Sequence, residues 1–458
     1  MSRHFPPRGS GDLKQPESSP SQSWGHPSQL GPNWDWQPGM QLLGAWDKRV
    51  IGFGDDRHSI LVAGARSGKS STVLIPNLKR YPGSMIVLDP KGELARACAA
   101  TLAGSGKRVY RLDPFGELDG TSHAYNPFSE LGYGKAEHVA ADAAQCSDAL
   151  VVGNPRDPHW TDSGKNLTRG CILLDLAESR VPTIRSLRRR LNGTPAELDR
   201  MFGAMVSSSA FEGILANIGT SFLGKLEAGG RELQSILSTV QEQTAPLDDI
   251  ATISDRSDFR LSELSEGNTV IFLILPGMRM GTHYRWLRLM IQQALGAVER
   301  HPVPRGGLPV WFVLEEFAAL GHMRSIEVAA GLMAGFGVRL WTVLQDLTQL
   351  KTHYARSWET FLGNSGVIQA FGNIDVTTTE HLSRMMGNAS VMEMQTVPVS
   401  SGAMAHGDLG RREHLRNYRL LEPSEITFHF SRETNRQLVL VPGRPPIYMT
   451  RLPHDAAL

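Results

Sequence analysis

Only three cysteines occur in 458 residues, and Cys98, Cys146 and Cys171 stand too far apart to make a C-x-x-C pair. That spacing excludes a disulfide framework and a cysteine zinc site, and it fits a reducing cytosol. Charge of one sign is also missing. With a net charge of +1 and 20% charged residues, no overall field draws the chain onto nucleic acid, and any such contact has to come from a local patch. Long apolar runs are absent as well. Val270 to Leu275 and Val310 to Leu314 are strand-sized, well short of the roughly 20 residues of a membrane helix, and no apolar signal core opens the chain. The expectation is a cytoplasmic protein with no transmembrane segment in this chain and room for two or three structural units.

What is present centres on Ser59 to Asn77, reading S-I-L-V-A-G-A-R-S-G-K-S-S-T-V-L-I-P-N. The apolar run Ile60 to Ala63 enters a glycine-bearing turn, and a helix-compatible segment follows. Strand, loop and helix in that order aim backbone N–H groups and a helix dipole at one point, where phosphate oxygens are held. Gly64, Ala65, Arg66, Ser67, Gly68, Lys69, Ser70 and Ser71 are therefore the candidate nucleotide-binding residues. Lys69 would lie along the outer phosphates and Ser70 would offer its hydroxyl to Mg²⁺. Ala63 stands where the usual pattern has its first glycine, with Gly64 one step later.

Further apolar runs alternate with helical spans and end in polar turns: Ser84 to Leu88 before Asp89-Pro90-Lys91-Gly92-Glu93, and Lys107 to Leu112 before Asp113-Pro114. Such alternation is the mark of an α/β fold with a parallel sheet covered on both faces, whose ligands sit at the strands' carboxyl ends. Asp89, Lys91 and Glu93 then fall near the nucleotide edge, although an Asp-Pro turn explains them as well. Strand texture returns at Thr269 to Leu275 and at Pro309 to Phe317, P-V-W-F-V-L-E-E-F. A buried strand has no use for two acids at its end, whereas an ATPase does. One orients the metal's water shell, and the next polarises the attacking water. Glu315 takes the metal place, usually an aspartate, and Glu316 the base place. The run Val338 to Leu344 ends in Gln345-Asp346; Gln345 either senses a γ-phosphate or caps the next helix.

Residues 1–38 are rich in Pro, Ser and Gly and read as a disordered tail. Its Trp24, Trp34 and Trp36 either dock on a partner or pack back on the body. Residues 39–134 and 265–458 carry the two parts of the nucleotide-binding domain, and 135–264, with helical spacing and few strand signals, reads as an inserted all-α domain. Within it Thr183 to Leu191, T-I-R-S-L-R-R-R-L, is a capped helix with four arginines. Its basic face suits DNA phosphates, although a solvated helix face is the commoner meaning of such a run.

Six pieces in order resemble the TraG/TraD type of type IV secretion coupling proteins, from about residue 58 to 390. They are A-R-S-G-K-S-S-T-V-L-I-P-N-L, V-L-D-P-K-G-E-L, R-L-D-P-F with A-Y-N-P-F, L-E-E-F-A-A-L-G, L-M-A-G-F-G-V-R-L and Q-D-L-T-Q-L-K-T-H-Y. A weaker match continues through L-L-E-P-S-E-I and V-P-G-R-P-P-I. The resemblance implies a RecA-like P-loop NTPase core interrupted by an all-α domain and assembled as a ring-shaped homo-hexamer. It implies ATP and Mg²⁺ as cofactors, and ATP-driven delivery of single-stranded DNA or protein cargo to a secretion or conjugation channel. The implied partners are secretion-channel or inner-membrane components and a relaxosome-like complex. Carried over residue by residue, Lys69 and Ser70 serve phosphates and Mg²⁺, Glu315 the metal, Glu316 the water and Gln345 sensing. Two departures stand out. Family members generally begin with transmembrane helices, so this chain is expected at the bacterial inner membrane peripherally, through a partner. Glu315 in place of aspartate bears on turnover, which keeps an ATP-binding cargo adaptor with little hydrolysis as an alternative. An FtsK/HerA-like DNA translocase shares the core but is less well supported by the D-P-K-G-E and Q-D-L-T-Q-L pieces.

Overall fold

Residues 22–26, 29–131, 136–153, 157–397, 410–453 and 455 are described by the computed structural model. Its strands, in chain order, are β1 (Gln41–Trp46), β2 (Arg49–Phe53), β3 (His58–Ala63), β4 (Met85–Asp89), β5 (Arg108–Leu112), β6 (Thr269–Ile274) and β7 (Val310–Leu314). Then come β8 (Val338–Leu344), β9 (Ser365–Phe371), β10 (Asn388–Val397), β11 (Gly410–Arg419), β12 (Arg436–Leu440) and β13 (Ile447–Thr450). Eleven of them form one sheet in the order β2-β1-β13-β12-β9-β3-β8-β7-β4-β6-β5, and β10 and β11 pair as a separate ribbon.

From β9 to β5 every pairing is parallel, and from β2 to the β12–β9 junction every pairing is antiparallel. Helices cover the parallel part on both faces, so β4, β6 and β7 are apolar at nearly every position rather than at alternate ones. β3, β4, β6, β7 and β8 are buried throughout. All six strands read from the sequence form, β8 with the bounds read and the others within three residues of them. β9 was not legible. Ser365, Gly366 and Gln369 break its apolar run, yet it is fully buried between β3 and β12. Gln369 is accommodated by a polar ladder: it accepts from Gln41 Nε2 at 3.1 Å and donates to Gln437 Oε1 at 2.9 Å.

Between β5 and β6 the described residues hold helices and no strand. This insert is fastened to the sheet's covering helix Gly277–Arg300, where the buried Arg288 donates to Ala149 O at 3.1 Å and Gln293 Nε2 to Cys146 Sγ at 2.9 Å. The arginine-rich helix runs Ile184–Leu191 and is capped by Thr183, as its sequence suggests. Three of its arginines face acids of the same chain: Arg185 on Asp255 (2.7 Å), Arg188 on Asp248 (2.8 Å) and Arg190 on Asp175 (2.6 Å). Arg188 and Arg190 are turned inward and clamp the insert, whereas Arg185 and Arg189 stay exposed, as the solvent-face reading has it.

The disordered-tail reading of residues 1–38 does not hold for the described part. Leu30 is buried, Trp34 packs 6.0 Å from Phe53, and Arg49 holds Asp35 at 2.8 Å. Trp24 meets Tyr448 edge-on at 5.5 Å, and Trp36 donates its indole N–H to Met40 O at 3.2 Å. These indoles cover the antiparallel edge of the sheet; residues 1–21, 27 and 28 lie outside the described residues. Among the described residues no single helix is long and apolar enough to cross a membrane.

Candidate functional site

β3 delivers the chain into the loop that begins at Gly64, and the loop is seated against the end of β9. The Gly64 amide donates to Phe371 O at 3.2 Å, and a Cβ on Gly64 would stand 2.0 Å from the carbonyl oxygen of Gly372. Only glycine fits there. Ala63, at the place of the usual first glycine, is the last buried residue of β3. Ala65 and Arg66 are exposed at the loop's tip, Arg66 with φ near +56°, and Gly68 turns with φ near +86°. Beyond Lys69 a wide π-type turn, Ser70–Leu74, leads into helix Ile75–Arg80. Gly68 O anchors it by accepting from Thr72 N (2.9 Å), Thr72 Oγ1 (2.7 Å) and Ser71 Oγ (3.2 Å).

Three more strand ends face this loop. After β7, Glu315 is buried, accepts from Ser70 Oγ at 3.5 Å and lies 3.9 Å from Lys69 Nζ. Burial pushes its carboxyl up to about 7, with Asp89, Glu316 and Glu93 acting in the same sense and Lys69 against them. Glu316 adopts φ near +54°, a left-handed conformation uncommon for a residue with a side chain. Its carboxylate is held by Lys69 Nζ at 3.1 Å and by Gln345 Nε2 at 3.0 Å to each oxygen. Such strain persists where surrounding contacts over-determine it, and those three contacts do so. Gln345, after β8, is not the cap of the following helix; Asp346 takes that place and accepts from Gln349 N at 3.0 Å.

Of the three residues read at the end of β4, only Asp89 is built into the site. It is buried, its Oδ2 accepts from Ala95 N at 2.7 Å, its Oδ1 has no partner, and burial raises its carboxyl above the ordinary range. Lys91 and Glu93 are exposed. Two residues with no sequence signal belong beside these. Asn373 Nδ2 donates to Gln345 O at 3.2 Å, and the buried Arg451 donates to Ser67 O beneath the loop. Neither sits at a motif spacing; Arg451 is a lone arginine some 380 residues downstream of the loop it touches.

The family model described as "Type IV secretory system Conjugative DNA transfer" matches residues 29–454. The chain belongs to this family. It is 26% identical over 424 residues to Protein VirD4 of Rhizobium radiobacter, covering 89% of this chain and 58% of that protein. To Conjugal transfer protein TraG of Escherichia coli it is 26% identical over 443 residues, 89% of this chain and 69% of that protein. The chain thus spans about three fifths of the length of the VirD4 relatives it matches. Among solved structures, bacterial conjugative coupling protein TrwBdeltaN70 in complex with sulphate superposes with a TM-score of 0.67 at 16% identity, covering 96% of this chain and 98% of that one. Plasmid coupling protein TrwB in complex with ADP and Mg²⁺ gives 0.67 at 15% identity, covering 96% and 97%. The likeness establishes the fold, a RecA-like α/β core, which is the architecture the motifs imply.

Proposed function

We propose that this protein is a coupling ATPase that uses ATP to deliver single-stranded DNA, with or without attached protein, to a type IV secretion or conjugation channel. The observation that carries the reading is the convergence of Lys69, Ser70, Glu315, Glu316 and Gln345 from three strand ends within hydrogen-bonding reach of one another. Folding has gathered a base, a lysine and a hydroxyl at the mouth of a phosphate-type loop, where packing alone requires none of them.

In this reading the amides of Gly64 to Ser71 and the Lys69 ammonium bind the phosphates. The donor set suits Mg²⁺: Ser70 Oγ, the Glu315 carboxylate, and Asp89 Oδ1, buried without a partner, are hard oxygens of the kind that hold the ion and its waters. When bound, the ion neutralises charge on the phosphate oxygens. Glu316 accepts the proton of the attacking water, and Gln345 holds that carboxylate in place. Lys69 pairs with Glu316 in the present arrangement and exchanges that partner for phosphate, which frees the base. The TrwB complex with ADP and Mg²⁺ supports this assignment, and the match to a family of conjugative DNA transfer in type IV secretion supports the secretion setting; a homo-hexamer at the bacterial inner membrane, beside secretion-channel components and a relaxosome-like complex, is the assembly we infer for it.

Lys69→Ala tests it, because Lys69 offers charge to phosphates and little to packing. Calorimetric titration with ATP and Mg²⁺, alongside phosphate release, should show binding and turnover lost and the fold kept. Turnover at the parental rate removes the site from Lys69. Parental binding without phosphate release in the unmodified protein would assign the adaptor role instead.

A further inference from the structure

We propose that Arg451 is a positioning residue for the phosphate loop, supplied by the far end of the chain; the proposal rests on the nucleotide-site reading above. Arg451 follows β13, at the antiparallel edge of the sheet, and is 2% exposed. Its backbone is fixed first: Arg451 N donates to Asn435 O at 2.9 Å, and Asn435 Nδ2 returns a bond to Arg451 O at 3.1 Å. The guanidinium is then aimed inward. It lies 4.1 Å above the centre of the Phe371 ring, the last residue of β9 and the one whose carbonyl receives the Gly64 amide. One terminal nitrogen donates to Ser67 O and lies 3.5 Å from Thr72 Oγ1, while the other donates to Arg432 O at 3.3 Å.

These contacts decide which way the loop's peptide groups point. A loop that binds phosphate must turn its N–H groups outward and its carbonyls back, and a carbonyl turned into an apolar interior needs a donor. Arg451 supplies that donor for Ser67, the residue before Gly68, whose φ near +86° makes the same turn from within the chain. A Cβ on Gly68 would stand 3.5 Å from the Arg451 nitrogen, in ordinary van der Waals contact, so the guanidinium lies directly behind the loop. A guanidinium is suited to the place, since it stays charged, stacks on an aromatic face and offers a fixed fork of donors. Burial does lower its affinity for the proton, to about 10, which still leaves it cationic at neutral pH. A buried cation with one N–H, Nε, lacking a partner is costly to maintain. Stability alone would favour an apolar side chain against Phe371.

The experiment compares Arg451→Lys and Arg451→Met in the full chain by titration with ATP plus Mg²⁺ and, separately, with inorganic pyrophosphate. Chemical unfolding without ligand is measured in parallel. Expected is a loss of affinity for both ligands of about tenfold or more in Arg451→Met, the scale set by losing a charge-assisted hydrogen bond, with part of it restored in Arg451→Lys. A structural role alone would move the unfolding midpoint and leave the affinity of the folded fraction unchanged, and that result overturns the proposal. Should Arg451→Met fail to fold, Arg451→Lys with parental pyrophosphate affinity overturns it equally. If the parental protein binds neither ligand, the nucleotide-site reading fails; if it binds both and the variants match it, only the role of Arg451 fails.

Discussion

The parallel and antiparallel parts of the one sheet are built on different rules. Within the parallel part, β4, β6 and β7 are apolar along their lengths and place polar residues only where they end. The antiparallel wing of β2, β1, β13 and β12 carries polar residues within its buried seam, Gln41 and Gln437 among them, and satisfies them by pairing. Strand ends in the parallel part are free to carry chemistry because the strands hold the fold without them. In the wing the polar groups are themselves part of the hold. The comparison predicts that a change at a parallel strand's end costs turnover and spares stability, whereas a change inside the wing does the reverse.

The largest effect is expected at Glu316. Glu316→Gln removes the base while keeping a side chain of the same length for Lys69 and Gln345, so binding of ATP and Mg²⁺ persists. Steady-state phosphate release should fall roughly a hundredfold, the low end for loss of a positioned base. If Glu315→Gln rather than Glu316→Gln stops release while binding persists, the two roles exchange.

That asymmetry also explains what could be read from the sequence. The loop at Gly64 to Ser71 and the acids after β7 were legible in place because each follows an unbroken apolar run, and Gln345 because it follows a run broken only at Arg339 and Thr342; a polar residue at the end of such a run has few structural reasons to be there. Asp89 was legible in place but not in role, since an Asp-Pro turn has the same appearance. β9 was not, because its Gln369 is satisfied by residues more than 60 positions away in one direction and more than 300 in the other. Arg451 and Asn373 were not for the same reason: their partners are distant in sequence and leave no local spacing. The arginine-rich helix was read as a surface because its acids, Asp175, Asp248 and Asp255, lie in other elements. The three indoles of the supposed tail were ambiguous until the wing they cover was in view.

A smaller effect follows from the pH behaviour of Glu315. Its folded value near 7 lies above the 4.5 of an ordinary glutamate, so between those limits the folded protein keeps a proton that the unfolded chain has released. Stability therefore falls as pH rises through that window, by up to about 3 kcal/mol for a shift of this size. Without nucleotide or Mg²⁺, the unfolding free energy from urea titration should fall between about pH 5 and about pH 8 by up to that much more in the parental protein than in Glu315→Gln. Parallel pH profiles would mean that Glu315 is ionised throughout. Either way the experiment shows whether an acid at a parallel strand's end weighs on stability after all, which is the one place where the comparison is expected to blur.

The smallest effect belongs to the wing. Gln437 donates to Leu43 O and accepts from Gln369 Nε2, and Gln369 in turn reaches Leu43 O at 3.3 Å and accepts from Gln41, which receives the Ser59 hydroxyl. Gln437→Leu keeps the volume and removes one amide from this ladder, leaving Gln369 with a donor short of its partner in a fully buried seam. The cost of one orphaned buried group is about 2 kcal/mol. Thermal or urea unfolding should register it, while phosphate release per folded molecule stays within about twofold, because Gln437 touches no residue of the phosphate loop. A fall in turnover as large as that of Glu316→Gln would show that the wing transmits to the site through its whole strand pairing. Unchanged turnover, set beside a weakened Arg451→Met, would point to Arg451, which reaches from the end of β13 to the loop, as the carrier of that influence.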